Sequence, residues 1–152
     1  MELHKAGYVS QTVTYIKNKD YEKAYNFAKE FVEKFPDEVA AHYLLSASAF
    51  WLKRYREAIL EGCRAFNKAT KDDEMLPCVM IAASAYYELE EYEKGMKLLQ
   101  IMEKRKKTEN IEKLMFMFSM ARKDSKEAAV HLNELYKMNR EAAEELAVEY
   151  VK

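Results

Sequence analysis

The stretch from Asp20 to Pro36, DYEKAYNFAKEFVEKFP, returns twice in altered form, as RYREAILEGCRAF and EYEKGMKLLQIME. Tyr21, Tyr55 and Tyr92 open the three copies, and three residues further on each carries a very small residue: Ala24, Ala58, Gly95. The second copy starts 34 residues after the first and the third 37 after the second (55 − 21 and 92 − 55). A weaker fourth copy, DSKEAAVHLNEL, sets Ser125 and Ala128 in the same places. A self-similar period in this range marks a helical repeat array, in which each unit buries its apolar face by stacking on the next.

Within one period the apolar spacing predicts two helices. Tyr8, Thr12, Tyr15 and Ile16 recur at helical intervals before Asn18-Lys19-Asp20 breaks the run. The second helix, from Tyr21 to Lys34, then sets Ala24, Phe27, Ala28 and Phe31 on one face and is stopped by Pro36. Asp37 is placed to cap a third helix, and Lys71-Asp72-Asp73-Glu74 reads as a longer loop, with Pro77 in the first turn of the fifth helix. The units fall at about 5–38, 39–72, 76–108 and 109–138 of a single domain, and a last helix at 139–152 caps the array with a polar outer face. No Gly or Pro stop signal precedes Lys152, so whether the chain continues in a longer protein stays open.

Composition supports helix throughout. With 49% hydrophobic and 34% charged residues, three Gly and two Pro, the 152-residue chain has little turn chemistry for a sheet and enough length to bury a core without disulfides. The fold class is therefore all-α. A net charge of −1 from interspersed acids and bases offers no field for a nucleic-acid backbone. Cys63 and Cys78 match no zinc spacing and read as small buried hydrophobes of a reducing, intracellular protein. Met1–Ser10 is too short and mixed for a secretory signal, and no apolar run could span a bilayer, so a soluble cytoplasmic protein is expected, without membrane insertion. The basic run Lys104-Arg105-Lys106-Lys107 suits the negative end of a helix dipole, and in a eukaryote would resemble a nuclear import signal.

The period and its small residues resemble the tetratricopeptide repeat (TPR), a 34-residue pair of antiparallel helices. Aligning Ala24, Ala58, Gly95 and Ala128 with that family's small place in the second helix puts its small place in the first helix at Thr12, Ser46, Ala83 and Phe116. Phe116 is the misfit. The resemblance covers about nine tenths of the chain and implies a right-handed superhelix whose concave face is lined by the first helix of each unit. That lining would contain Val9 and Val13 from the first unit and Tyr43, Ala47 and Phe50 from the second. Met80, Ser84 and Tyr87 from the third and Met117 from the fourth would belong to it as well.

An apolar, aromatic and Met-containing lining suits an amphipathic helix or an extended apolar peptide. The resemblance also supplies a negative. The five places that hold a chaperone's C-terminal carboxylate in some TPR domains fall here on Val9, Val13, Leu44, Pro77 and Ile81, none of which donates to a carboxylate. The same lining could equally be core, buried by stacking or in a homodimer.

Nothing in the pattern supports catalysis. The paired acids Glu90-Glu91 and Asp72-Asp73-Glu74 sit where turns are expected, and no phosphate loop or nucleophile elbow is present. His4, His42 and His131 stand far apart with no partner at helical ligand spacing, so they read as surface or packing residues, with no metal and no cofactor expected. The expectation is a non-catalytic adaptor or scaffold that binds a partner segment. The alternative is a structural or self-associating subunit of a large assembly, as TPR subunits of the anaphase-promoting ubiquitin ligase are.

Overall fold

The computed structural model describes residues 3–151, with backbone only at Val151, so Met1, Glu2 and Lys152, the end of the expected last helix, lie outside the described residues. Nine helices and no strand are found among the described residues. They are α1 (Lys5–Lys17), α2 (Tyr21–Lys34), α3 (Val39–Trp51), α4 (Tyr55–Lys68), α5 (Asp72–Glu88), α6 (Tyr92–Arg105), α7 (Glu109–Ala121), α8 (Ser125–Met138) and α9 (Arg140–Val151). By contact the chain divides into two compact units, one ending at Leu89 and the next beginning at Glu90.

In the first unit α1, α3 and α5 pack side by side, with α2 and α4 laid against them. The helix pairs are antiparallel: His42 meets Glu61 while Ser46, four residues later, meets Ala58, three residues earlier. Small residues make that approach close. Ala24, Ala58 and Ala128 are at most 2% exposed, and Thr12, Ser46 and Ala83 are fully buried. Gly62 marks the tightest spot, since a Cβ there would lie 3.1 Å from Ser46 Oγ, 3.2 Å from Ala82 Cβ and 3.3 Å from the Cys78 carbonyl oxygen. The α4 backbone is thus wedged between α3 and α5. The core of the unit comprises Tyr8, Phe31, Leu44, Leu45 and Ile59. Tyr25, rather than Phe27, completes the buried stripe of α2, and Phe27 is half-buried with its ring 5.2 Å from Tyr8.

The second unit packs α6 on α7, α7 on α8 and α8 on α9. Phe116, the misfit, is buried with Ala128, Leu135, Ala143 and Leu146, its ring edge-on to Tyr150 at 5.0 Å. A large side chain is accommodated there because α9 supplies two small-to-medium residues opposite it. Asn139 Oδ1 accepts from the Ala142 N–H, capping α9 as its sequence position suggests.

Two sequence expectations change. Helix α5 begins at Asp72, so the acidic stretch forms its first turn, where negative charge complements the helix dipole, and Pro77 lies inside the helix. Burial of Met75 draws that turn into the helix, and the missing Pro77 N–H costs one bond to the Asp73 carbonyl. Glu38 rather than Asp37 occupies the N-cap of α3, and Asp37 instead faces the Lys68 ammonium at 3.6 Å.

A regularity invisible in composition recurs between the two helices of each repeat. Lys19, Lys53, Glu90 and Lys123 all have positive φ, between 59° and 63°. In the second turn the Lys53 N–H donates to the Phe50 carbonyl and the Arg54 N–H to the Ala49 carbonyl, and the turns at Lys19 and Lys123 repeat that pattern. This is the Schellman closure, which glycine suits best because a Cβ is strained at positive φ. Lys53→Gly is therefore expected to stabilise the first unit by about 0.5–1 kcal/mol in chemical denaturation, and a loss of stability would show that the Lys53 side chain carries more than its backbone strain.

Candidate functional site

Two features of the folded chain carry chemistry beyond the core. The first is the surface offered by α1, α3 and α5 of the first unit. Val9, Val13, Tyr43 and Phe50 are half-buried, packed against the core on one side and reached by solvent on the other. Met80, Ser84 and Tyr87 of α5 are likewise half-buried. Ala47 is only 6% exposed, so it forms floor rather than contact surface. Burial holds the Tyr43 phenol above its usual range, with a further contribution from neighbouring Cys78.

Phe50 is engaged edge-on with Trp51 and Tyr55, at 5.6 Å in each case. Trp51 itself is 51% exposed and stacks on Tyr21 at 5.5 Å. Sequence reasoning passed over Trp51, although a large exposed aromatic at a helix C-terminus is the kind of group that anchors interfaces. Met117 belongs to the second unit, where with Lys113, Leu146 and Tyr150 it lines a cleft of about 290 Å³ between α7 and α9.

The second feature is a pair of buried histidine–carboxylate centres. In the second repeat His42 Nδ1 lies 2.7 Å from Glu61 Oε2 and its Nε2 2.7 Å from the Pro36 carbonyl oxygen. Both ring nitrogens thus face an oxygen that can accept a hydrogen bond. Arg64 Nη1 donates to the other Glu61 oxygen at 2.7 Å. Every polar atom of this centre has a partner.

In the fourth repeat the residue types are exchanged: Glu112 Oε1 lies 2.9 Å from His131 Nδ1. The spacing is 19 residues in both (61 − 42 and 131 − 112), and Tyr8 and Phe27 stand at the same two places of the first repeat, 27 − 8 being also 19. That interval spans an antiparallel pair from the first turn of its first helix to the middle of its second. His42 and His131 are thus buried against a carboxylate of the paired helix, while His4 is exposed at the start of α1. Their carboxylate partners lie on the paired helix, where spacing along a single helix carries no signal of them, and only the constant interval of 19 links the two.

The fourth-repeat centre is less complete. Glu112 is fully buried and its Oε2 has no hydrogen-bond partner, while the Glu103 carboxylate of α6 stands 3.6 Å from His131 Nδ1. Burial, with the adjacent Glu112, lifts the Glu103 carboxyl to about 7. Burial acts in the same direction on Glu112, but the hydrogen bond to His131, the neighbouring Glu103 and the charges of His131 and Lys107 outweigh it and hold Glu112 below the carboxylate range. For His131, burial favours the neutral ring, yet Glu112, Glu103 and Glu127 together raise it above its ordinary value. Lys107 is paired with Glu134 at 3.0 Å, so this residue of the basic run has a specific partner besides the helix end.

Both cysteines are free. Cys78 is fully buried and burial pushes its thiol up to about 12, while half-buried Cys63 is raised for the same reason. Neither is an activated nucleophile. No helix among the described residues is long and apolar enough to cross a membrane.

Residues 8–61 match the family described as anaphase-promoting complex, cyclosome, subunit 3, a stretch that covers the first helix pair and much of the second. No curated protein matches. The fold is similar to that of the MamA RS-1 ArsTM double mutant, with a TM-score of 0.78 at 18% identity over 91% of this chain and 76% of that one. It is similar also to MamA from residue 41 to its end, from Desulfovibrio magneticus RS-1, with a TM-score of 0.78 at 17% identity over 91% and 77%. A third likeness, to MamA MSR-1 C2, has a TM-score of 0.74 at 9% identity over 92% and 79%. At these identities the likeness is one of fold. Repeat register, antiparallel pairing and the recurring Schellman turns define the chain as a TPR-like helical-repeat protein.

Proposed function

We propose that the chain is a non-catalytic protein-interaction scaffold that captures a partner segment on the α1–α3–α5 face of its first unit. The observation that carries the reading is the row of half-buried apolar side chains on successive first helices: Val9, Val13, Tyr43, Phe50, Met80 and Tyr87. Val9, Val13, Tyr43 and Phe50 are fixed by the core behind them yet reached by solvent, so little side-chain entropy is lost when a partner covers them. Tyr and Met make adaptable anchors, which favours an amphipathic helix or an extended apolar peptide over a charged ligand. A cytoplasmic location, or a nuclear one in a eukaryote, goes with this reading.

The double variant Tyr43→Glu, Met80→Glu tests it. Used as bait in affinity capture from native lysate, the parent chain is expected to retain partners that the variant loses, while both give the same helical circular dichroism. Identical capture by both folded baits would overturn the groove assignment.

A second reading is favoured by the match at 8–61 to a subunit of the anaphase-promoting complex: the same face packs against a second copy or a neighbouring subunit within an assembly. Sedimentation at several concentrations separates the two. A dimer abolished by Tyr43→Glu with Tyr87→Glu supports assembly through this face, and a dimer that persists counts against it.

A further inference from the structure

We propose that Glu103, Glu112 and His131 form a binding site for a divalent transition-metal ion of the zinc type. The three residues come from three consecutive helices, α6, α7 and α8, and one ligand atom from each lies within 4.8 Å of the others. His131 Nδ1 is 2.9 Å from Glu112 Oε1 and 3.6 Å from Glu103 Oε2, close to the roughly 3.3 Å edge of a tetrahedron with metal bonds of about 2.0–2.1 Å. An imidazole nitrogen with two carboxylates suits zinc, and three protein ligands leave a fourth position for water. Glu103, the least buried of the three, gives an entry path.

A second, independent observation points to a ligand. Glu112 is fully buried, and its Oε2 has no hydrogen-bond partner. The chain contains its own control in the His42–Glu61 centre, which occupies the same two repeat places. There both glutamate oxygens and both ring nitrogens are satisfied within the protein. Beside the fourth-repeat pair stands a second acid, Glu103, whereas Arg64 brings a positive charge to the His42–Glu61 centre, and a bound cation would balance the extra carboxylate. Orientation is also provided for. His131 Nε2 lies 3.8 Å from Glu127 Oε1, beyond hydrogen-bond range but on the side from which a carboxylate can orient a ligating ring, and Arg122 Nη1 holds the other Glu127 oxygen at 3.4 Å. Lys107, which bridges to Glu134, acts electrostatically on both Glu103 and Glu112 and sets an upper limit on affinity.

The expectation of no metal site rested on ligand spacing along one helix. Here the ligands converge across helices.

The full chain, stripped with chelator and dialysed, is titrated with Zn²⁺ by calorimetry and weighed by native mass spectrometry. One ion per chain is expected, with affinity reduced about tenfold or more in Glu103→Gln and in Glu112→Gln, and unchanged in Glu57→Gln, which lies in the other unit. Co²⁺ in place of Zn²⁺ is expected to give the visible absorption of a four-coordinate site, lost in the same variants. If Glu112→Gln does not fold, Glu103→Gln decides the matter, because its amide can donate to Glu112 Oε2 and keep the native fold. Absence of saturable binding by the parent, or equal affinity in folded Glu103→Gln, would overturn the site and leave a carboxyl pair that shares a proton.

Discussion

Glu61→Ala is expected to lower the stability of the first unit by about 2–4 kcal/mol, since the buried His42 ring then faces α4 with a donor and no acceptor. For a chain of 152 residues that corresponds to a fall of roughly 4–16 °C in a thermal melt. Arg64 loses its partner too, but it is half exposed and is solvated at little cost. The companion variant is His42→Val with Glu61→Leu, which installs the residues that Val79 and Leu98 place at the same two positions of the third repeat. Its combined side-chain volume is close to that of the original pair, and a well-packed apolar pair commonly equals a buried ion pair in stability. Recovery to within about 1 kcal/mol of the parent is expected. A double variant no better than Glu61→Ala alone would mean that the centre has a role the geometry of the pair does not explain.

Ala58→Leu is expected to cost about 1–3 kcal/mol by overpacking. Ala58 is fully buried, and its carbonyl oxygen accepts from Ser46 Oγ at 2.6 Å, so α3 and α4 touch at this level with no slack. One turn further along the same row of α4, Gly62 leaves less than 3.4 Å for any Cβ, two of the obstructing atoms belonging to α5. A leucine at 58 therefore has to separate α4 from α3, and α5 prevents α4 from moving away freely. Leu60→Ala, on the exposed side of α4 at 50% exposure, serves as control and is expected to change stability by about 0.5 kcal/mol or less. An unchanged melting temperature for Ala58→Leu would place the repeat register wrongly.

Both predictions depend on where a residue falls within the repeat, and that much was legible beforehand. The places of Ala24, Ala58 and Ala128 follow from self-similarity alone, because two helices can approach closely only where both lack bulk, and the structure buries all three. Helix identity followed equally well, since the 3.6-residue spacing of large residues decides which face is covered. Boundaries were less secure. The acidic turn at Asp72–Glu74 has loop-like composition, and only the burial of Met75 shows that it is helical. The turns at Lys19, Lys53, Glu90 and Lys123 carry no glycine, so nothing in their residue types signals their positive φ.

The candidate sites divide along the same line. By itself the sequence determined the helical repeat, its register and the apolar character of the first helices, because these are periodic properties that survive in one dimension. Only the tertiary structure decided that Ala47 is floor while Trp51 is exposed, and that His131 meets Glu112 of α7 and Glu103 of α6. Those facts depend on distances between residues on different helices. Packing sets such distances to a fraction of an ångström, whereas periodicity specifies only which face of a helix turns inward.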